Sequence, residues 1–270
     1  MPNRIAILVL GCASPPYDVM IETIRNTWGD VNVPGVDIFY LYGNPHDDHA
    51  RTVLSRFVGS DLSPVADNEI RVINDVLIAG CADNFGQQHD CILRKRLIAF
   101  GYLSSARNYD LIYTVCATSY VDQYQLIRHA NRLTPKRLIS GALGIDPAGT
   151  PFVSGASMLL SADLARKLSN DRLEIIEQNQ FGSRDDVSIG HWIVTRMSNV
   201  PLETFAHDIR MQNLMTPDHI FMSYPHTTVD YVMASAERHQ PVADAFHYHF
   251  HSLKPGHMMG FHRRYFTYEL

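Results

Sequence analysis

Positions 5–10 carry an uninterrupted apolar run in which three of the six residues are β-branched. A strand that is apolar on both faces has to be covered on both sides, which is typical of a parallel sheet flanked by helices. The glycine, serine and two prolines within residues 11–16 predict a turn at the carboxyl end of this strand. The first element of the chain is therefore predicted to be a buried parallel strand.

Further apolar runs alternate along the chain with segments whose apolar residues recur at helical spacing. Strands are predicted at residues 36–41, 111–115, 138–143 and 153–160, and helices at residues 18–28, 47–58, 91–105, 124–133, 163–168 and 187–197. Residues 70–78 show a mixed pattern, and Asp18 is expected to cap the first helix. The alternation predicts an α/β fold with a mostly parallel, Rossmann-like sheet flanked by helices, which binds ligands beyond the carboxyl ends of its strands.

Composition narrows the class of protein. The 270 residues are 46% hydrophobic and 19% charged, which is ordinary for a globular chain, and we expect one domain over residues 1–270. A formal net charge of −5 and a pI near 6.2 argue against nucleic acid as a partner. No apolar run approaches the roughly 20 residues of a membrane span. Four cysteines are too few for a disulfide scaffold in a chain of this length, and the sequence has no N-glycosylation acceptor. These observations predict a cytoplasmic protein without an integral membrane segment. The alternative is a luminal protein trimmed of its anchor.

Four motifs occur in a fixed order along the chain. They are IETIRNTWG at residues 21–29, IFYLYG at 38–43, TPFVSGASMLLS at 150–161 and RDDVSIG at 184–190. In this order they resemble motifs of the β-1,3-galactosyltransferase/Fringe family of glycosyltransferases, over most of residues 5–250. The resemblance implies a GT-A-like domain, with a nucleotide-sugar half at about residues 1–145 and an acceptor half with a C-terminal tail at about 146–270.

The resemblance also implies the reaction, which is inverting transfer of a sugar from a nucleotide sugar, most simply a UDP-sugar, to a carbohydrate hydroxyl. It places Cys12 and Ala13 beside the nucleotide, after the first strand. Lys95 lies in LRKRL, where the family has Leu-x-Lys-Thr-Leu, and is expected near the donor. Arg25 belongs to the family's Ile-Arg-x-Thr-Trp pattern and either binds the donor or supports the site. Without the resemblance, Arg25 and Lys95 would be interpreted as solvated surface charges.

The resemblance breaks where the family ends a strand with three aspartates that hold a divalent metal. This chain has Cys116, Ala117 and Thr118 there, although the residues on both sides align. One thiol and one hydroxyl are poor ligands for Mg²⁺ or Mn²⁺, so we do not expect a conventional metal site. We expect these three residues to line the donor pocket instead.

Two substitutes for the metal stay open. Protein cations would stabilise the leaving diphosphate, and Lys254, Arg263 and Arg264 are the candidates. Alternatively, His247 and His249 would hold a softer metal, because the Fringe branch has a similar Phe-His-x-His segment whose histidine helps to hold its metal. Histidines that alternate at strand spacing are also typical of a polar sheet surface.

The catalytic base is expected within the RDDVSIG motif. The family's base is the acidic residue immediately before a valine or its equivalent at the entry to a helix, with a glycine three residues after that valine. Asp186 occupies this position, with Asp185 in a supporting role. Without the resemblance, both aspartates would be interpreted as helix caps. Gly155 lies where the family has a Ser-Gly-Gly turn in the sugar pocket, and an ordinary strand bulge is the competing interpretation.

Two other classes of function compete with the transferase. A catalytically inactive relative that serves as a binding or chaperone-like module would explain the missing aspartates. A metal-dependent hydrolase built on the histidines lacks the HExxH type of spacing and ranks last. The resemblance implies a carbohydrate or glycan acceptor as partner and a nucleotide sugar as ligand.

Overall fold

The computed structural model describes residues 2–84, 88–106, 108–146, 148–182, 184–197, 202–204, 208–211, 246–250 and 255–265. The strands are β1 (Ile5–Leu10), β2 (Val36–Asn44), β3 (Ile70–Ile73), β4 (Val76–Ala82), β5 (Leu111–Cys116), β6 (Ser119–Val121), β7 (Ile139–Ile145), β8 (Pro151–Ser161), β9 (Leu202–Thr204), β10 (Asp208–Met211) and β11 (His247–Phe250). The helices are α1 (Tyr17–Arg25), α2 (Asp48–Val58), α3 (Cys91–Ala106), α4 (Gln123–Ala130), α5 (Ala162–Asn170), α6 (Arg172–Glu177), α7 (Asp185–Arg196) and α8 (Pro255–Tyr265), with a 3₁₀ turn at Trp28–Asp30.

An eight-stranded sheet forms the centre of the fold, in the order β3-β4-β2-β1-β5-β8-β7-β9. Its middle strands β4, β2, β1 and β5 run parallel to one another, whereas β3 and β8 pair antiparallel with their neighbours. Strand β1 lies between β2 and β5 and is buried from Ile5 to Val9, with Leu10 partly buried, as its apolar run predicts. The predicted α/β class, with a mostly parallel sheet flanked by helices, is confirmed.

Two apolar clusters cover the two faces of this sheet. The first contains Trp28 and the buried residues of α1, α2 and α4, and the second contains Leu97 and the buried residues of α3, α5 and α7. Helix α3 is buried around most of its circumference, as expected for a helix enclosed by other elements rather than lying at the surface. Among the described residues, no helix is both long enough and apolar enough to cross a membrane.

A second, three-stranded sheet extends the structure beyond β5. Strand β11 pairs antiparallel with β6 and parallel with β10. Helix α8 packs onto it, because the ring of Phe261 contacts the rings of Tyr120 and Tyr248. This small sheet brings the C-terminal histidines next to the chain that follows β5.

The first helix differs from its prediction at both ends. It begins at Tyr17, so Asp18 lies in its first turn and the predicted cap is wrong; the Asp18 carboxylate is 3.1 Å from Nε2 of His49. It ends at Arg25, and Trp28 lies in the 3₁₀ turn, where its indole N–H donates to the carbonyl of Ser119 at 2.9 Å. The mixed pattern of residues 70–78 corresponds to the antiparallel pair β3 and β4.

Candidate active site

The carboxyl ends of the parallel strands meet at one edge of the sheet. There β1 leads into Gly11, β2 ends around Gly43, β4 leads into Asp83, and β5 ends at Cys116. Gly43 allows a close approach between β2 and β4, because a Cβ atom on it would lie 2.7 Å from the carbonyl oxygen of Ala82. This edge is where open α/β sheets bind ligands.

Asp83 joins three of these strand ends through its carboxylate. Its Oδ1 accepts hydrogen bonds from the backbone N–H of Gly43 and from Nζ of Lys95, both at 2.8 Å. Its Oδ2 accepts the backbone N–H of Ala13 at 3.1 Å, while Lys95 also donates to the carbonyl of Gly11 at 2.6 Å. Lys95 comes from α3, and Asp83 directly follows β4. The pair therefore holds the turn at residues 11–13 in place through Gly11 and Ala13.

Lys95 is buried, with 2% of its side chain exposed. Burial by itself lowers the pKa of Lys95, but the Asp83 carboxylate outweighs burial and raises this pKa above its ordinary value. The ammonium group thus stays charged at neutral pH and faces protein oxygens. It shapes the strand ends instead of being a solvated charge.

Cys12 and Ala13 lie at the same point. The thiol of Cys12 is 3.3 Å from the backbone carbonyl of Asp83, and burial raises the pKa of this thiol, so it is protonated at neutral pH. Ala13 is fully buried. The structure therefore brings Cys12, Ala13 and Lys95 together around the Asp83 carboxylate.

The segment after β5 lies between the two sheets. Cys116 Sγ is 3.9 Å from the carbonyl oxygen of Gly155, Ala117 is buried, and Thr118 Oγ1 is 3.5 Å from Nε2 of His249. A thiol, a methyl group and a hydroxyl do not form a donor set for a hard divalent cation. Across the described ranges, no three His, Cys, Asp or Glu side chains are grouped to hold a metal ion.

His247 and His249 lie side by side on β11, and both are buried, so they are not an exposed polar face. Nδ1 of His247 is 2.6 Å from the hydroxyl of Tyr113, and its Nε2 is 3.3 Å from the hydroxyl of Ser119. Both ring nitrogens of His247 are thus engaged by hydroxyl groups. This arrangement suits a structural histidine better than a metal ligand.

Asp186 and Gly155 lie at the same edge of the sheet. The backbone N–H of Gly155 donates to Asp186 Oδ2 at 2.9 Å, and the N–H of Val187 at the start of α7 donates to Oδ1 at 2.9 Å. The carboxylate is partly exposed and held by both oxygens. Asp186 is therefore oriented by β8 and by its own helix N-terminus, which also favours its negative charge.

Arg96 connects this region to α3. It is 1% exposed, lies 2.5 Å from the carboxylate of Asp185, and donates to the carbonyl of Gly155 at 3.0 Å. Burial raises the pKa of Asp185 to about 6, against the lowering effect of Arg96 and with a further increase from Asp186. The sequence motifs gave Arg96 no role in the site. The available signal was its position between Leu93 and Leu97 in a mostly apolar helix, which indicates a buried cation that needs a partner.

Arg25 lies elsewhere. Its guanidinium donates to both carboxylate oxygens of Asp75 at 2.7 and 2.9 Å, and it stacks 3.9 Å from the ring centre of Tyr40. Asp75 precedes the first residue of β4, at the opposite end of this strand from Asp83. These contacts favour the supporting role among the two that the sequence left open.

The candidate diphosphate cations are at the C-terminal end. Arg263 is exposed on α8. Lys254 lies outside the described residues, as does the side chain of Arg264. Their role in charge stabilisation stays a prediction.

No family model matches the sequence, and no curated protein matches it. Among solved structures, an active-site mutant of LgtC is 11% identical with a TM-score of 0.48, and the match covers 97% of both chains. A glycosyltransferase involved in glycosylation of the major capsid of PBCV-1 is 9% identical with a TM-score of 0.49, over 96% of this chain and 98% of that one. The apo form of the glycosyltransferase GlyE of Streptococcus pneumoniae TIGR4 is 13% identical with a TM-score of 0.47, over 93% and 55%. At such values the function of this chain has to be argued from its own residues.

Proposed function

We propose that this protein is an inverting glycosyltransferase that moves a sugar from a nucleotide sugar, most simply a UDP-sugar, to a carbohydrate hydroxyl. The observation that carries the proposal is the Asp186 carboxylate, which is partly exposed, held by Gly155 and Val187, and located at the edge where the parallel strands end. We assign donor binding mainly to about residues 1–145 and acceptor binding mainly to about residues 146–270, with Gly155 and the C-terminal cations contributing to the donor pocket.

In the proposed reaction, Asp186 is the general base. It accepts the proton of the acceptor hydroxyl while the hydroxyl oxygen forms a bond to the anomeric carbon of the donor sugar. The bond from that carbon to the diphosphate oxygen breaks, and the nucleoside diphosphate leaves with the electron pair. A carboxylate already oriented by two N–H groups needs little rearrangement to act in this way, which lowers the entropic cost of the step.

The donor would be held at the strand ends that Asp83 and Lys95 fix. The turn at residues 11–13 supplies backbone groups for the nucleotide, and residues 116–118 with Gly155 line the sugar pocket. Since residues 116–118 do not suit a hard divalent cation, we assign stabilisation of the leaving diphosphate to protein cations. The exposed Arg263 is the candidate among the described residues, and Lys254 and Arg264 are the other two.

The first experiment is a thermal-shift screen against UDP-, GDP- and dTDP-sugars, followed by transfer assays with the donor that binds. A ligand present at one hundred times its Kd should stabilise the folded protein by about 2.7 kcal/mol. If no nucleotide or nucleotide sugar shifts the melting temperature at millimolar concentration, the transferase proposal fails.

Replacement of the proposed base gives the sharper test. Asp186→Asn keeps the size of the side chain but accepts only one of the two backbone N–H groups, so it should still fold and bind the donor at some loss of stability. It cannot accept a proton, so kcat should fall by roughly 10² to 10⁴. Asp163→Asn, a helix-entry aspartate on α5 that accepts the N–H of Arg137, is the matched control and should leave kcat unchanged. Equal kcat in the wild type and Asp186→Asn would reduce Asp186 to a helix cap.

The second candidate function is a binding or chaperone-like module without catalysis. The observation that favours it is the replacement of the expected carboxylates by Cys116, Ala117 and Thr118. The binding-module function would be favoured over the transferase if the wild-type protein binds a nucleotide sugar but transfers its sugar neither to carbohydrate acceptors nor to water.

A further inference from the structure

Arg96 is a fully buried cation with defined partners on two different elements. From α3 it contacts the Asp185 carboxylate at the start of α7 at 2.5 Å and the Gly155 carbonyl in β8 at 3.0 Å. A buried arginine that served packing alone would be replaceable by an apolar residue of similar size at little cost in stability. A guanidinium that contacts a carboxylate and a carbonyl on two different elements fixes their relative position, which an apolar side chain does not do.

The Gly155 peptide connects Arg96 to Asp186. Its carbonyl accepts from Arg96, and its N–H donates to Asp186 Oδ2 at 2.9 Å. A Cβ atom on Gly155 would lie 3.0 Å from both terminal nitrogens of Arg96 and 3.4 Å from Cβ of Asp186. A side chain at position 155 would therefore press against the guanidinium of Arg96.

We propose that Arg96 is a positioning residue of this site, which acts through Asp185 and Gly155 to hold the Asp186 carboxylate in its working orientation. The inference rests on the proposed function for its catalytic consequence, while its structural part can be measured without turnover. Among the described contacts, Arg96 makes no hydrogen bond to the Asp186 carboxylate itself. Its effect on Asp186 would pass through Asp185 and Gly155.

The charged and titratable groups near Asp185 lie on α3, α7 and β5 and in the segment that precedes α7. Arg96 faces it from α3, Asp186 follows it on α7, and Cys116 at the end of β5 contacts the same Gly155 carbonyl. Arg184, which precedes α7, is half exposed and lies 3.8 Å from the Asp146 carboxylate beyond β7. Because Arg96 is the buried cation in contact with Asp185, its removal should dominate any change in the titration of that carboxyl group.

The first measurement follows the Asp185 carboxyl group by ¹³C NMR, in the wild type and in Arg96→Met. In the wild type the titration midpoint should be about 6. Loss of a contacting cation should move it upward by roughly 1 to 3 pH units. Asp186→Asn should move it downward, because it removes a neighbouring negative charge. Arg94→Met on the same helix breaks a pair with Asp90 and should leave the midpoint in place.

The second measurement is kinetic. Arg96→Met should lower kcat by roughly 10²-fold through misplacement of the base, with little change in KM for the donor. The acid limb of its kcat–pH profile should move to higher pH. Arg96→Lys keeps the charge and loses the two-pronged contact, so it should restore the pH profile and only part of kcat.

Gly155→Ala supplies a perturbation that leaves all charges in place and keeps the inference testable if Arg96→Met does not fold. It should lower kcat as Arg96→Met does, whereas Gly260→Ala on α8, where a Cβ atom would meet open space, should not. An Asp185 midpoint that is equal in the wild type and Arg96→Met, or an unchanged kcat in a folded Arg96→Met, would overturn the inference. If the wild type transfers no sugar, the proposed function fails, and the NMR titration still decides whether Arg96 controls this carboxyl pair.

Discussion

Replacement of Lys95 by methionine tests how the strand ends at the proposed donor site are held together. Methionine matches the length of the lysine chain but removes the ammonium group. The change leaves the Asp83 carboxylate, which is fully buried, without its cation, and it leaves the Gly11 carbonyl without its 2.6 Å donor. The carboxylate keeps the backbone N–H groups of Gly43 and Ala13.

The expected loss of stability is large because the pair is buried. Removing one partner of a buried ion pair costs about 3–5 kcal/mol, since the other charge is left without compensation. The two remaining N–H donors to Asp83 reduce this cost, so we expect a loss near the lower end, about 3 kcal/mol. The raised pKa of Lys95 means that the stabilising charge is present throughout the acid and neutral range, and it is lost when the pH rises past that pKa.

Urea unfolding at pH 7, followed by the fluorescence of Trp28 and Trp192, measures this loss on both faces of the sheet. The m-value should stay unchanged while the midpoint falls. Lys167→Met breaks a solvent-exposed pair with Asp171 and should cost less than about 1 kcal/mol. A loss below 1 kcal/mol for Lys95→Met, equal to that control, would refute the view that Asp83 and Lys95 hold the strand ends.

Three further predictions concern metal, pH and Arg25. Transfer should survive EDTA, because residues 116–118 offer no donor set for a hard cation, and activity abolished by chelation and restored by Mn²⁺ would contradict this. As the pH rises from 4 to 7, the wild type should lose about 2–3 kcal/mol of stability relative to Asp185→Asn. The reason is that burial raises the pKa of Asp185 to about 6, so the folded state holds the proton more tightly than the unfolded chain. Urea unfolding at several pH values measures this loss, and parallel stability curves for the two proteins would count against a buried Asp185. Arg25→Met should cost roughly 1–2 kcal/mol through its ion pair and ring contact and leave the Kd for the donor within twofold, and a large rise in Kd would restore Arg25 to the donor site.

The order and type of the main elements follow from periodicity in the sequence. A run of buried residues such as positions 5–10 differs clearly from the spacing of α3, because a strand repeats every two residues and a helix every 3.6. Strands β6 and β11 are three and four residues long, too short for such a signal. Their pairing depends on a contact between segments more than 120 residues apart, which local pattern does not encode.

The site follows from the sequence in part. The motif order predicts that Lys95, Gly155 and Asp186 belong together, and the structure places all three at the edge where the parallel strands end. It does not predict which carboxylate each cation meets. Arg25 pairs with Asp75, 50 residues away in sequence, and Arg96 pairs with Asp185, 89 residues away. The packing of whole helices and strands determines such partners.

Lys95 and Arg96 together explain how one helix supports both halves of the proposed site. Consecutive residues on an α-helix point about 100° apart, so two buried cations in sequence have to face different neighbours. Lys95 faces Asp83 and the ends of β1, β2 and β4, whereas Arg96 faces Asp185 and β8. Each cation pairs with a carboxylate from a different part of the chain, so a rotation of α3 would break both ion pairs at once. The relative placement of the turn at residues 11–13 and the Asp186 carboxylate therefore depends on the first turns of α3, a buried helix that contains neither of these groups.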